Sequence, residues 1–272
     1  MRRSTHHESH HMSCLFVAAI SLAVGANPYR LQPAFFERGP DANAGVLINL
    51  TAGGGPADPF DPSRPTVVIA VGANPFSGRI HYTIAPTFAA AIGRRLGNSA
   101  NVLEWAWGAD SVGSVIPRRN LARAEDHGQR LAEALLATGV PPERLHLIGQ
   151  SSGGTLMASA AQAIAGRTGR LVGQVTLLDP ASCHHDVIFG QLCVANSAAR
   201  VENYWAPGPS GYGGQAHVAG VWNYRVPGPG GLLATPSLTR SDHINTARFY
   251  LATIEDPANS AGFNTSHVLR GP

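Results

Sequence analysis

Short apolar runs alternate with helix-like stretches through the middle of the chain, and this alternation restricts the fold more than any other feature. Residues 66–71 (TVVIAV), 101–107 (NVLEWAW), 144–149 (RLHLIG) and 171–178 (LVGQVTLL) have the length and apolar continuity of strands buried on both faces. Between them, residues 83–96, 120–138 and 152–165 read as helices. The first stops at Gly97, and the second stops at Gly139 with Pro141 just beyond. Leu121, Leu131, Leu135 and Leu136 are the core-facing candidates of the second. Strands joined through helices require right-handed crossovers, hence a mainly parallel central sheet with helices on both faces. Residues 200–205 and 218–224 are expected to add two strands, and residues 245–254 a closing helix. Residues 27–65, with Gly53-Gly54-Gly55-Pro56, read as an irregular N-terminal arm or lead-in strand, which leaves 66–272 as a single α/β domain.

Composition excludes several functions. With 272 residues, 44% hydrophobic and 14% charged, the chain can bury a large core and is not a disordered tract. All 20 basic residues are arginine, so a Schiff-base lysine, a Walker-A phosphate loop and a Ser–Lys dyad are impossible. The net charge of +3 comes from scattered arginines rather than a basic stripe, so no nucleic-acid partner is expected. At the N-terminus, Arg2 and Arg3 precede a short apolar run over 14–24, and Val24 and Ala26 supply small residues for cleavage. Residues 1–26 therefore read as an export signal, and the protein as secreted or periplasmic. His6, His7, His10 and His11 fall inside that segment and read as incidental, so no metal site is expected. Cys14 also falls there; Cys183 and Cys193 are left either as one disulfide or as two free thiols.

The chemistry concentrates at Gly149-Gln150-Ser151-Ser152-Gly153, a G-x-S-x-G that ends an apolar strand and opens an Ala-rich helix. A sharp strand-to-helix turn holds such a serine in a strained conformation. Small residues two positions to either side let strand and helix approach closely. Ser151 is the expected nucleophile, at the positive end of the following helix. A serine hydroxyl needs a base, and the base needs an orienting carboxylate. In this architecture the chain order is Ser, acid, His. Asp179 follows the next strand directly and is the expected acid, with Glu202 as second candidate. His243, between the last strand and the closing helix, is the expected base, with His217 behind it; His184 and His185 are too close in sequence to Asp179, and His267 is expected to fray with the C-terminus. The oxyanion hole is expected from the amide of Ser152 and that of Ala73 or Asn74, since Pro75 has no N–H. The loops at 206–214 and 227–231 are rich in Gly and Pro and could cover such a site.

These residues resemble the pancreatic-type lipases of the α/β-hydrolase superfamily. His146-Leu147-Ile148-Gly149-Gln150-Ser151-Ser152-Gly153-Gly154 is similar to that family's elbow, Leu178-Asp179-Pro180-Ala181 matches its L-D-P-A segment, and residues 242–250 resemble its histidine loop. Residues 101–105 are similar to its second-strand segment. The resemblance covers about residues 66–254 and implies an α/β-hydrolase fold with a secreted lipase or esterase activity through Ser151, Asp179 and His243. It implies no cofactor, an ester or lipid substrate with an apolar acyl chain, and transient contact with a lipid surface. The chain departs from the family at Val71-Gly72-Ala73, where His-Gly-aromatic is usual, and at Gln150, where histidine is usual. No structural calcium is expected, because the segment after L-D-P-A lacks the family's binding pattern. No C-terminal β-sandwich is expected after Ile254 either. A peptidase, a thioesterase or a polyester hydrolase would use the same triad. A catalytically silent hydrolase fold, exported as a binding protein, would keep the same elbow.

Overall fold

The computed structural model describes residues 29–30, 45–51, 60–72, 84–107, 117–181, 184–207, 214–226 and 240–270. The export signal, Ala73, Asn74, Cys183 and most of both Gly/Pro-rich loops lie outside the described residues.

The strands are β1 (Tyr29–Arg30), β2 (Val46–Asn49), β3 (Thr66–Ala70), β4 (Asn101–Ala106), β5 (Leu145–Gln150), β6 (Gln174–Leu178), β7 (Val201–Trp205) and β8 (Val221–Arg225). They form one sheet in the order β1-β2-β4-β3-β5-β6-β7-β8. From β4 to β8 every pairing is parallel, and β2 runs antiparallel to β4. Residues 46–49, within the stretch read as an arm or lead-in strand, thus extend the sheet through Leu47 opposite Trp105. Among the described residues the principal helices are α1 (Ile84–Leu96), α2 (Pro117–Ala137), α3 (Ser152–Thr168) and α4 (Arg240–Glu255), and a short α5 (His267–Arg270) closes the chain.

Each strand presents alternate residues to two cores, as the period of two requires. On β5, Leu145 and Leu147 face the layer that holds Leu131 and Leu135 of α2 and Leu156, Met157 and Ile164 of α3. Ile148 faces the opposite layer, with Phe88 and Ile92 of α1, Ala247, Tyr250 and Ile254 of α4, and Phe263. This mostly parallel sheet, covered on both sides and turning into α3 at a strained serine, is the α/β-hydrolase architecture.

Two sequence expectations change, and one left open is decided at Cys193. The closing helix begins at Arg240 rather than 245, so His243 stands in its first turn and not in a loop; Ser241 and Asp242 are residue types that favour a helix start. His267 is not frayed: its amide donates to Gln174 Oε1, and the neighbouring Ser266 hydroxyl bonds His146 Nδ1 at 2.8 Å. Cys193 is a free, exposed thiol whose Sγ contacts the carbonyl of Gly190. No described helix is long and apolar enough to cross a membrane.

Candidate active site

Strand β5 runs into α3 through Ser151, whose backbone lies at φ 56°, ψ −126°. This conformation costs an L-residue on the order of 1–3 kcal/mol and persists only where surrounding structure enforces it. The enforcement is steric. A β-carbon on Gly149 would stand 2.3 Å from the carbonyl oxygen of Gly153, and one on Gly153 would stand 2.3 Å from that of Ala70. Only hydrogen fits at either place. The Ser151 amide donates to Leu178 O at 3.0 Å, which fastens the turn to the end of β6.

Asp179 follows β6 at that same edge, also in the left-handed region (φ 47°), which Asp tolerates better than most residues. Its amide donates to Tyr204 O at 2.7 Å, and its Oδ1 accepts the Ala206 amide at 3.2 Å. Its Oδ2 lies 2.6 Å from Nδ1 of His243. Both side chains are buried. A carboxylate accepts, so the imidazole proton sits on Nδ1.

The imidazole's other nitrogen, Nε2, meets Gln150 Nε2 at 2.8 Å, and Gln150 Oε1 accepts the Gly72 amide at 3.2 Å. Gly72 also lies against the serine: a β-carbon there would stand 2.4 Å from Ser151 Cβ and 2.9 Å from Oγ. The Trp107 indole donates to Val71 O at 2.7 Å and fixes the chain just before Gly72. Ser151, Gly72, Gln150, His243 and Asp179 are therefore gathered at the C-terminal edge of β3, β5 and β6. Gln150 Oε1 takes up the Gly72 N–H, and Ala73 and Asn74, the expected oxyanion donors of this loop, lie outside the described residues.

The runner-up residues stand elsewhere. Glu202 is the second residue of β7, near the strand's N-terminal end, where it pairs with Arg200 at 2.7 Å and accepts from the hydroxyls of Thr265 and Tyr204. His217 is exposed on the segment before β8. His184 is buried against Thr155. His185 packs edge-on against Phe189, and burial lowers its pKa despite the nearby charge of Asp179.

Gln150 and Gly72 were not singled out as site residues from the sequence. Gln150 falls two residues after Ile148, hence on the same face of β5, and that is the face α4 covers. The alternation was readable; the identity of the covering helix was not.

No protein-family model matches the sequence, and no curated protein matches it. Among solved structures, the chain is similar to the esterase Est2 of the planctomycete Thermogutta terrifontis, at 12% identity over 87% of this chain and 95% of that one, with a TM-score of 0.42. It is also similar to Est1E of Butyrivibrio proteoclasticus, at 12% identity over 79% of this chain and 94% of that one, TM-score 0.45. A third is carboxyl esterase 2 of the fungus Tuber melanosporum, at 13% identity over 67% and 68%, TM-score 0.40.

Proposed function

We propose that the protein is an exported serine hydrolase that cleaves carboxylic esters bearing an apolar acyl group. The observation that carries this reading is the 2.6 Å hydrogen bond between Asp179 and His243 at the sheet edge where Ser151 is held at φ 56°. Ser151 Oγ attacks the ester carbonyl while His243 Nε2 takes its proton. Asp179 holds the tautomer and stabilises the imidazolium. The amide of Ser152, together with that of Ala73 or Asn74, stabilises the oxyanion. As the tetrahedral intermediate collapses, the imidazolium returns the proton to the leaving alcohol. Water, deprotonated by His243, then attacks the acyl-serine; collapse returns the proton to Ser151 and frees the acid. The resemblance to pancreatic-type lipases, through residues 146–154 and Leu178-Asp179-Pro180-Ala181, supports an ester or lipid substrate. The apolar run over 14–24 supports export.

The test uses p-nitrophenyl butyrate and a fluorophosphonate probe. The wild-type protein is expected to turn over the first and to be labelled by the second at Ser151, and Ser151→Ala to lose both. Unchanged turnover in Ser151→Ala would refute the assignment. A folded wild-type protein that neither hydrolyses nor labels would be a silent hydrolase fold.

A further inference from the structure

The mechanism gives no role to the buried carboxamide of Gln150, which is 1% exposed and touches the imidazole of His243. Its two hydrogen bonds determine each other. The Gly72 N–H can only donate, so Gln150 Oε1 faces Gly72 and the NH2 faces His243. An NH2 also only donates, so His243 Nε2 must offer a lone pair. The ring proton is then on Nδ1, against Asp179 Oδ2. A single donor direction runs from the Gly72 backbone through Gln150 and the imidazole to the carboxylate.

We propose that Gln150 is a positioning residue that sets neutral His243 in the base-competent tautomer and opposes its protonation before substrate arrives. This rests on the reading of Ser151, His243 and Asp179 as the catalytic set. A proton on Nε2 would face the Gln150 N–H, donor against donor. The imidazolium therefore forms only where Nε2 turns from Gln150 toward the serine or the leaving oxygen. Asp179 faces His243 from the sheet, and the charge of Asp179 also acts on His185. On the helices, Arg248 lies exposed on α4, and the Arg94–Glu255 pair joins α1 to α4 at the far end of α4.

The experiment is a 15N-imidazole NMR titration of the full chain, with His243→Asn used for assignment, on wild-type protein, Gln150→Glu and Gln150→Met. The pH profile of kcat/KM on p-nitrophenyl butyrate is measured in parallel. Wild-type His243 is expected as the Nδ1–H tautomer when neutral. In Gln150→Glu the carboxylate accepts from Nε2–H and attracts the imidazolium, so the His243 pKa and the acid limb of kcat/KM rise together by about one pH unit or more. Gln150→Met, which removes the opposing donor along with the acceptor of the Gly72 amide and adds no charge, raises both by less. An Nε2–H tautomer in wild-type protein overturns the proposal without any variant having to fold. So does an unshifted His243 in either variant when folded. Turnover with an unshifted His243 sinks this inference alone. The expected tautomer and shifts without hydrolysis or fluorophosphonate labelling sink the catalytic reading, and with it the inference.

Discussion

At the residue scale, the site depends on two kinds of constraint, steric at Ser151 and electrostatic at Asp179. The strained serine is retained because Gly149 and Gly153 let β5, β3 and α3 meet at backbone distance. Gly153→Ala drives a methyl into the Ala70 carbonyl, a fixed backbone atom that has no rotamer to escape through. We expect it to lose at least about 2 kcal/mol in urea unfolding and to abolish fluorophosphonate labelling. Asp179 accepts from both Ala206 N–H and His243 Nδ1–H. Asp179→Asn keeps the shape but presents an amide that can force the wrong imidazole tautomer. We expect kcat to fall about 10³–10⁴-fold with an unchanged unfolding midpoint; a drop under tenfold would remove Asp179 from the mechanism. The requirement at Gly149 was legible because it acts within the elbow, against Gly153 O four residues on, whereas the clash that fixes Gly153 comes from Ala70 on β3. The Gln150 bridge was not legible, because its partners lie 78 and 93 residues away.

At the element scale, the sheet positions the site by stacking two helical layers on it. Helices α2 and α3 cross where Gly128 lies against the α3 backbone: a β-carbon there would stand 2.5 Å from Leu156 O and 2.5 Å from Ser159 Cβ. Gly128→Ala is expected to push the pair apart and lower stability by about 1–3 kcal/mol, with Ser151 labelling retained in the folded fraction, as thermal melts and labelling would show. On the other face, α4 carries His243 at its start and Tyr250 and Ile254 in the core, so the same packing that buries the helix also aims the imidazole. The lead-in and the C-terminal segment were the hardest elements to read. Val46–Asn49 is four residues without a strong alternation, and it becomes a strand by pairing with β4 on one side and β1 on the other. The C-terminal segment is held by non-local bonds to His146, Gln174 and Glu202.

At the scale of the whole molecule, the buried His146 and the half-buried Glu104 give opposing responses to pH. Burial pushes the His146 pKa down to about 3, so the folded state refuses a proton that the unfolded chain takes up. Its contribution is complete above about pH 6.5 and is lost as pH falls through the window down to about 3. Burial pushes Glu104 up to about 7, so its contribution is complete below about pH 4.5 and is lost as pH rises toward 7. Between about pH 4.5 and 6.5 the two slopes have opposite sign and largely cancel. Glu104→Gln is expected to lose stability as pH falls through that window, at up to about 1.4 kcal/mol per pH unit, and His146→Gln to lose it as pH rises. Parallel urea melts from pH 4.5 to 7 check this; identical slopes in both variants would contradict it.

The sequence by itself determined the parallel sheet, the edge at which chemistry is possible, and the serine that occupies it. Apolar continuity, helix stops and the G-x-S-x-G spacing of the turn are all written within a few residues, and the chain carries them openly. Only the tertiary structure decided that the helix carrying His243 covers the face of β5 that bears Gln150, that Asp179 and not Glu202 receives the imidazole, and that Gly72 is tied to both. Those contacts join segments far apart in the chain. They follow from how layers pack, and no local spacing encodes that.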